Sequence, residues 1–181
     1  MVVSQDIPGV CRMSDYLILV CELASAFAGF TAIVSALDGR ASRRSRFDKM
    51  RLRQMLELSL FTIGIGLLPE MLGKLGMDGT TPWRVAGVVA VASALVLFPI
   101  QMRRGFDPEM KAVPGYNLAY ARFLVGLALF SVVAFLLAST ALVAPQGGYI
   151  LGTTLVLTAA GLQFFRVCIS ILATDAESTI G

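Results

Sequence analysis

Hydrophobic residues occur along this chain in five long runs that are separated by short polar segments. The runs lie at about 16–37, 55–73, 83–102, 118–143 and 149–173. Each run has about 20 residues and each helical residue adds about 1.5 Å, so a helical run is long enough to cross a hydrocarbon layer of about 30 Å. The pattern predicts an all-α protein, a polytopic bundle of five transmembrane helices that forms a single domain over residues 1–181.

Basic residues are concentrated in one segment, the basic loop 38–54 between the first two runs. The loop contains seven of the fifteen Lys and Arg residues of the chain: Arg40, Arg43, Arg44, Arg46, Lys49, Arg51 and Arg53. The third loop adds Arg103, Arg104 and Lys111, whereas the fourth loop, APQGG, has no charge. Because basic loops stay on the cytoplasmic side, we expect loops one and three in the cytoplasm, the N-terminus outside and the C-terminus inside.

The first hydrophobic run has two contrasting faces when it is wound at about 100° per residue. One face collects bulky side chains: Leu23, Phe27, Phe30 and Val34. The other face, called here the small face, collects Ser25, Ala28, Gly29, Ala32 and Ala36. Small residues let membrane helices approach closely. We therefore predict that the small face packs against protein, within one chain or between chains, and that the bulky face meets lipid.

Glu22 is the one charged residue within this run. An ionisable group at such a depth costs at least about 2.5 kcal/mol unless it is neutral, paired or hydrated. Two interpretations stay open: Glu22 lines a pathway for an ion or small solute, or it is a neutral, hydrogen-bonded acid that holds helices together. The other intramembrane polar candidates for a pathway are Ser25, Glu57 and Arg166, with Arg53 beside them at the inner mouth.

The basic loop also has more than one interpretation. It determines topology alone, or it binds anionic lipid head groups, or it docks a membrane or cytoplasmic protein partner. Residues 47–57 mix apolar and charged residues at helical spacing, so we predict that the second transmembrane helix begins inside the loop. Arg53 and Glu57 are then one helical turn apart and can pair. Arg166 reaches the interface or pairs with Glu57.

The second run contains Gly64, Gly66 and Pro69, which predict a kink or a break near residues 64–69. Proline lacks the N–H that an α-helix needs and clashes with the preceding turn. Glu70 and Lys74 follow at a spacing that allows an ion pair.

Composition excludes several classes of function. Hydrophobic residues make up 56% of the chain and charged residues only 15%, against about 25% charged in soluble domains. There is no histidine, and Cys11, Cys21 and Cys168 form no C-x-x-C pair, so we expect no metal and no cofactor. The chain has no phosphate-binding G-x-x-x-x-G-K-[ST] loop and no G-x-S-x-G elbow. We expect a protein that is not an enzyme and does not bind nucleic acid.

Two short segments resemble a known group of proteins. The segment ELASAFAGF at Glu22–Phe30, followed by RLRQMLE at Arg51–Glu57, is similar to sequences of small bacterial multi-span membrane proteins. The resemblance covers about the first 75 residues and implies a protein of the bacterial inner membrane, with no particular activity.

These features together predict a homo-oligomer, embedded in the lipid bilayer, that forms a pathway for an ion or small solute. The alternative is a non-catalytic scaffold or accessory subunit that binds a partner protein or anionic lipid through its basic loop.

Overall fold

Five α-helices make up most of the part of the chain that the computed structural model describes, residues 8–38, 46–105, 117–140 and 144–178. Side chains are described for residues 15–36, 49–104, 117–140 and 144–169. The helices are α1 (Pro8–Asp38), α2 (Arg46–Lys74), α3 (Thr81–Gly105), α4 (Leu118–Ser139) and α5 (Pro145–Ser178). Each is long and apolar enough to cross a membrane. The prediction of an all-α bundle of five spans is confirmed.

Helix α2 shows how local signals place the helix ends. It begins at Arg46, inside the basic loop, as the helical spacing of residues 47–57 predicts. It continues without a break through Pro69. Gly76 has a φ of +90°, and the N–H of Met77 bonds to the carbonyl of Leu72. This is the glycine-dependent helix end that a side chain with a Cβ disfavours, so the short turn into α3 starts there.

The helices α2 and α5 pack together at the centre of the bundle. Helix α1 packs on one side of this pair, against both α2 and α5, while α3 and α4 pack together on the other side. Small residues allow the closest approaches between the helices. A Cβ added at Gly87 of α3 would lie 3.1 Å from the Phe135 carbonyl oxygen, and one at Gly148 of α5 would lie 2.9 Å from that of Ala134. Close backbone contact of this kind is what drives helix association in lipid.

Within one chain, the two faces of α1 are buried and exposed in the opposite way to the sequence prediction. Phe27 and Phe30 of the bulky face pack on the ring of Phe164 in α5, with ring centroids 5.3 and 4.7 Å apart. Val34 is buried, whereas Leu23 is exposed. On the small face Ser25, Gly29, Ala32 and Ala36 are exposed and Ala28 is half-buried. The prediction that the bulky face meets lipid is therefore wrong for most of its residues, and the small face makes little contact within one chain.

The physical reason lies in the helices that α1 contacts. A Cβ added at Gly66 of α2 would lie 2.6 Å from the Sγ of Cys21, and one at Gly161 of α5 would lie 3.6 Å from the ring of Phe27. The partner helices thus supply the small residues, and the larger side chains of α1 occupy the space above them. Close approach needs small residues on either helix of a pair, and here they are on α2 and α5.

Candidate functional site

Charged and polar side chains converge at one end of the bundle, which is called here the basic end. It is the end at which α2 and α4 begin and α3 and α5 finish, and it carries Arg51, Arg104 and Arg166. By the distribution of loop charges it is the end predicted to face the cytoplasm. The described residues of the basic end form two neighbouring features, an ion-pair network on α2 and α3 and a cavity between four helices.

Glu57 is the centre of the ion-pair network. Its Oε1 atom accepts from the Nε of Arg53 at 2.8 Å and from the Nη1 of Arg104 at 3.0 Å. The Nε2 of Gln101 donates to its Oε2 at 3.4 Å. The predicted pairing of Arg53 with Glu57 is confirmed, and the network additionally ties α2 to α3. Because two guanidinium groups hold its carboxylate, we interpret Glu57 first as a structural residue that connects α2 to α3.

Arg166 does not pair with Glu57, so that part of the prediction is wrong. Its guanidinium carbon lies over the ring of Tyr120 in α4, 4.4 Å from the ring centroid. An arginine over an aromatic face is a cation–π contact, and here it joins the second half of α5 to the first turn of α4. At the other end of the bundle, the predicted pair of Glu70 with Lys74 is present at 3.0 Å.

A cavity of about 110 Å³ lies between α2, α3, α4 and α5 at the basic end. Along α4 its lining extends from the N-cap residue Asn117 to Ser131, which is about 20 Å at about 1.5 Å per residue. The cavity therefore reaches from the end of the bundle to about the middle of the predicted membrane layer. Its volume is several times the roughly 10–15 Å³ that a single water molecule needs. Most of the wall is apolar, and it includes Leu58, Phe98, Ala128, Leu155 and Val156.

Polar side chains of all four helices line the outer part of this cavity: Arg51, Gln54, Gln101, Asn117, Tyr120 and Gln163. Arg51 of α2 is only 8% exposed and Gln163 of α5 only 3%. The Nε2 of Gln163 donates to the Oε1 of Gln54 at 3.1 Å. The Oε1 of Gln163 and the hydroxyl of Tyr120 are buried without a hydrogen-bond partner among the described residues. A buried polar atom left in this way costs about 1–3 kcal/mol, so both atoms are candidates for contact with a bound molecule.

The structure separates the predicted basic residues into several groups. Arg40, Arg43 and Arg44 lie outside the described residues, and of Arg46 only the backbone is described. Lys49 is exposed, as expected of a surface-binding residue, and Arg53 is paired with Glu57.

Arg51 faces into the bundle and is not exposed beside Lys49, and its predicted role in lipid or partner binding stays a prediction. The reason for its burial is helical periodicity. Arg51 lies seven residues before Leu58, which in turn lies seven residues before Ile65, and both of these are buried. Because α2 extends back to Arg46, Arg51 continues the same buried face. That spacing is a sequence signal that indicates the position of Arg51.

Glu22 and Ser25 lie away from the basic end, on the outer surface of α1. Glu22 is exposed, and its carboxylate has no hydrogen bond or ion pair among the described residues. It lies about 5 Å along the helix axis from the middle of the span Asp15–Ala36. The hydroxyl of Ser25 donates to the carbonyl of Cys21 at 2.8 Å. The structure thus brings Glu57 and Arg166 to one end of the bundle but does not bring Glu22 to them.

Sequence reasoning missed Tyr120, Gln54 and Gln163 as members of one site. The available signal was Gln163, a polar residue inside an apolar run. Within the described ranges, no three His, Cys, Asp or Glu side chains come together as metal ligands would. The absence of a metal, of a cofactor and of enzymatic activity stays a prediction.

The fold and the apolar exterior define the class of protein. Large side chains such as Phe130 and Leu151 point outward from helices of membrane-spanning length, and only a lipid bilayer offers such surfaces a favourable solvent. The chain is a multi-span integral membrane protein. No protein family, curated protein or solved structure matches it. The resemblance of Glu22–Phe30 and Arg51–Glu57 to bacterial membrane proteins is supported at the level of this class, and the bacterial inner membrane stays a prediction.

Proposed function

We propose that this protein is a non-catalytic homo-oligomer in which neighbouring copies meet at the small face of α1 and Glu22 lines a pathway for a cation or small solute between them. The observation that supports the proposal is the position of Glu22. A carboxylate near the middle of a span, on the outside of a single chain and without a partner among the described residues, would face hydrocarbon at a cost of at least about 2.5 kcal/mol. A second copy, with water enclosed between the copies, removes that cost.

The shape of α1 supports the same assembly. Ser25, Gly29, Ala32 and Ala36 follow one another at spacings of four, three and four residues, and all four are exposed. A Cβ added at Gly29 would meet no atom within 4 Å. A helix face of this kind admits a second helix at close range. Glu22 lies one turn before Ser25 on that face, so oligomer formation would gather the Glu22 carboxylates of neighbouring copies. Rings of carboxylates favour the passage of cations.

A pathway through a single copy has less support. The cavity at the basic end is lined by neither Glu22 nor Ser25, and Glu57 is held by Arg53 and Arg104. A pathway that uses Glu22 therefore needs more than one chain.

The alternative function is docking of a partner protein or anionic lipid by the basic loop. Lys49, which is exposed, supports it, whereas Arg51 and Arg53 are engaged inside the bundle and with Glu57. Docking would then depend mainly on Arg40, Arg43 and Arg44, which lie outside the described residues.

The test compares assembly and flux in matched variants. The mass of the purified protein in detergent is measured by light scattering, and K⁺ flux is measured in proteoliposomes. We expect the wild type to be an oligomer. Gly29→Leu should dissociate it, because the added side chain would occupy the small face at which the copies meet. The control is Gly64→Leu, because Gly64 of α2 is also exposed and a Cβ there would also meet nothing within 4 Å. Gly64→Leu should leave the mass unchanged.

The variant Glu22→Gln separates the two roles of the carboxylate. If Glu22 lines a pathway, the variant keeps the oligomer and lowers K⁺ flux or its selectivity over Cl⁻. A monomeric wild type would refute the assembly. An oligomer whose flux is the same in wild type and Glu22→Gln would remove Glu22 from the pathway. Loss of assembly in Glu22→Gln, with no flux from either protein, would make Glu22 a structural contact.

A further inference from the structure

Each of the four walls of the cavity at the basic end has polar side chains near the end of the bundle, and the deeper part of the cavity is mainly apolar. On α2, Arg51 and Gln54 lie outside Leu58, and on α3, Gln101 lies outside Phe98. Helix α4 has Tyr120 near the end of the bundle and Leu124 and Ala128 deeper, and the hydroxyl of Ser131 beyond them donates to the carbonyl of Ala128 in its own helix. Helix α5 has Gln163 near the end and Val156 deeper. Four helices thus place polar groups where a membrane has its head groups and apolar groups where it has acyl chains. A cavity with this division suits a molecule that is itself divided into a polar head and an apolar chain.

The two unpartnered atoms point to a polar group of a bound molecule. Gln163 is 3% exposed, and its Oε1 can accept a hydrogen bond that no described residue supplies. The hydroxyl of Tyr120 is also buried without a partner and lines the same cavity. Buried polar atoms in folded proteins are almost always hydrogen-bonded to protein, water or ligand. A dry apolar filling would leave both atoms unsatisfied, and water alone would have to fill a space with mainly apolar walls.

The charge around the cavity selects the head group. Arg51 lines the cavity and is 8% exposed, and Arg166 lies against the ring of Tyr120. Arg51 has an interaction partner of its own, but a guanidinium has five N–H donors and can serve a second acceptor. No acidic residue is among the described residues that line the cavity. An anionic oxygen is the group that arginine and a tyrosine hydroxyl bind together most strongly.

We propose that this cavity binds an anionic amphiphile with a single acyl chain. Its negatively charged head lies against Arg51 and the hydroxyl of Tyr120, and its chain extends along Leu58, Ala128 and Val156 towards the middle of the membrane. A hydroxyl of the head, or a water molecule bound to the head where it has no O–H, donates to the Oε1 of Gln163. The carboxylate of a fatty acid and the phosphate of a lysophospholipid share this chemistry. The site is independent of the proposed pathway, since it lies within one chain and excludes Glu22.

Native mass spectrometry of the purified protein, released from detergent micelles, tests the site. The probes are palmitate, palmitoyl lysophosphatidylglycerol and the neutral monopalmitoylglycerol, which have the same chain. We expect one bound molecule of an anionic probe and at least tenfold weaker binding of the neutral one. Binding of palmitate alone identifies a carboxylate site, and binding of the lysophospholipid alone identifies a phosphate site. Equal binding of all three probes, or no binding, overturns the proposal.

Variants locate the bound molecule. Tyr120→Phe removes one hydrogen bond and should weaken binding about fivefold. Its control is Tyr16→Phe, which removes a hydroxyl bonded to Thr154 outside the cavity and should leave binding unchanged. Ala128→Phe fills the inner part of the cavity and should abolish binding while the thermal unfolding transition is retained. Unchanged binding in a folded Ala128→Phe variant overturns the site. If Ala128→Phe does not fold, the site is overturned instead by unchanged binding in both Tyr120→Phe and Gln163→Leu.

Discussion

A single hydrogen bond at the centre of the bundle provides a sharp test of how its helices are held together. Pro69 has no N–H, so the carbonyl of Ile65, four residues earlier in α2, has no partner in its own helix. The hydroxyl of Tyr149 in α5 donates to that carbonyl. Tyr149 is completely buried and Ile65 nearly so. The variant Tyr149→Phe removes this donor and retains the ring, which packs on Trp83 and Phe135.

The expected cost follows from the absence of any other partner. A buried carbonyl left unsatisfied costs about 1–3 kcal/mol. Hydrogen bonds between membrane helices contribute about 0.6 kcal/mol on average and up to about 1.7. The carbonyl of Ile65 lacks its helical N–H partner. We therefore expect Tyr149→Phe to lower the free energy of unfolding by about 1–2 kcal/mol, near the upper end of the values for hydrogen bonds between membrane helices. In a Pro69→Ala background the restored N–H partners the carbonyl, and the cost of Tyr149→Phe should fall by at least half.

A double-mutant cycle measures this coupling. Unfolding in mixed micelles is followed by helical circular dichroism and by the fluorescence of Trp83, the single tryptophan of the chain. Tyr16→Phe is the control, because it removes the 2.8 Å hydrogen bond between Tyr16 and Thr154 and should cost the same in both backgrounds. The reasoning is refuted if Tyr149→Phe is as stable as the wild type, or if its cost is equal with Pro69 and with Ala at that position.

Three further predictions concern packing and charge. Gly148→Ala should destabilise the bundle by about 1–3 kcal/mol, because the added Cβ would lie 2.9 Å from a carbonyl oxygen of α4. Its control is Gly147→Ala, which should be close to neutral in the same unfolding assay because a Cβ there would meet no atom within 4 Å. Phe164→Ala should cost about 2–3 kcal/mol by removing the ring on which α1 packs, whereas Phe165→Ala, at a residue 62% exposed, should cost less than half as much. Glu57→Gln should lower stability by less than about 1 kcal/mol, because the side chains of its partners Arg53 and Arg104 are 63% and 38% exposed and water weakens such ion pairs. A larger loss, measured at two salt concentrations, would contradict this.

Features that depend on neighbours along the chain could be predicted from sequence. The start of α2 inside the basic loop follows from apolar spacing at residues 47–57, and the helix does begin at Arg46. The pairs of Arg53 with Glu57 and of Glu70 with Lys74 follow from a separation of one helical turn, and both are present.

Features that depend on which helices become neighbours could not be predicted in the same way. Arg166 has Tyr120 as its partner rather than Glu57 because α4, and not only α2, packs beside the end of α5. The cavity needs four helices to form its walls, and no single run of residues indicates it. The bond from Tyr149 to Ile65 joins residues 84 positions apart, although the carbonyl that needs a donor could be inferred from Pro69 alone.

The sequence by itself determined that this is a membrane protein with five helical spans. Each apolar run is long enough to cross a bilayer, and the cost of unpaired backbone groups in lipid leaves the helix as the structure for such a run. It did not determine which face of each helix is buried. In water that choice follows from hydrophobicity, but lipid solvates the apolar side chains of both faces of α1 about equally well. The tertiary structure decided it through shape, because Gly66 of α2 provides the space that the side chain of Cys21 fills, and Phe27 and Phe30 pack on Phe164 of α5.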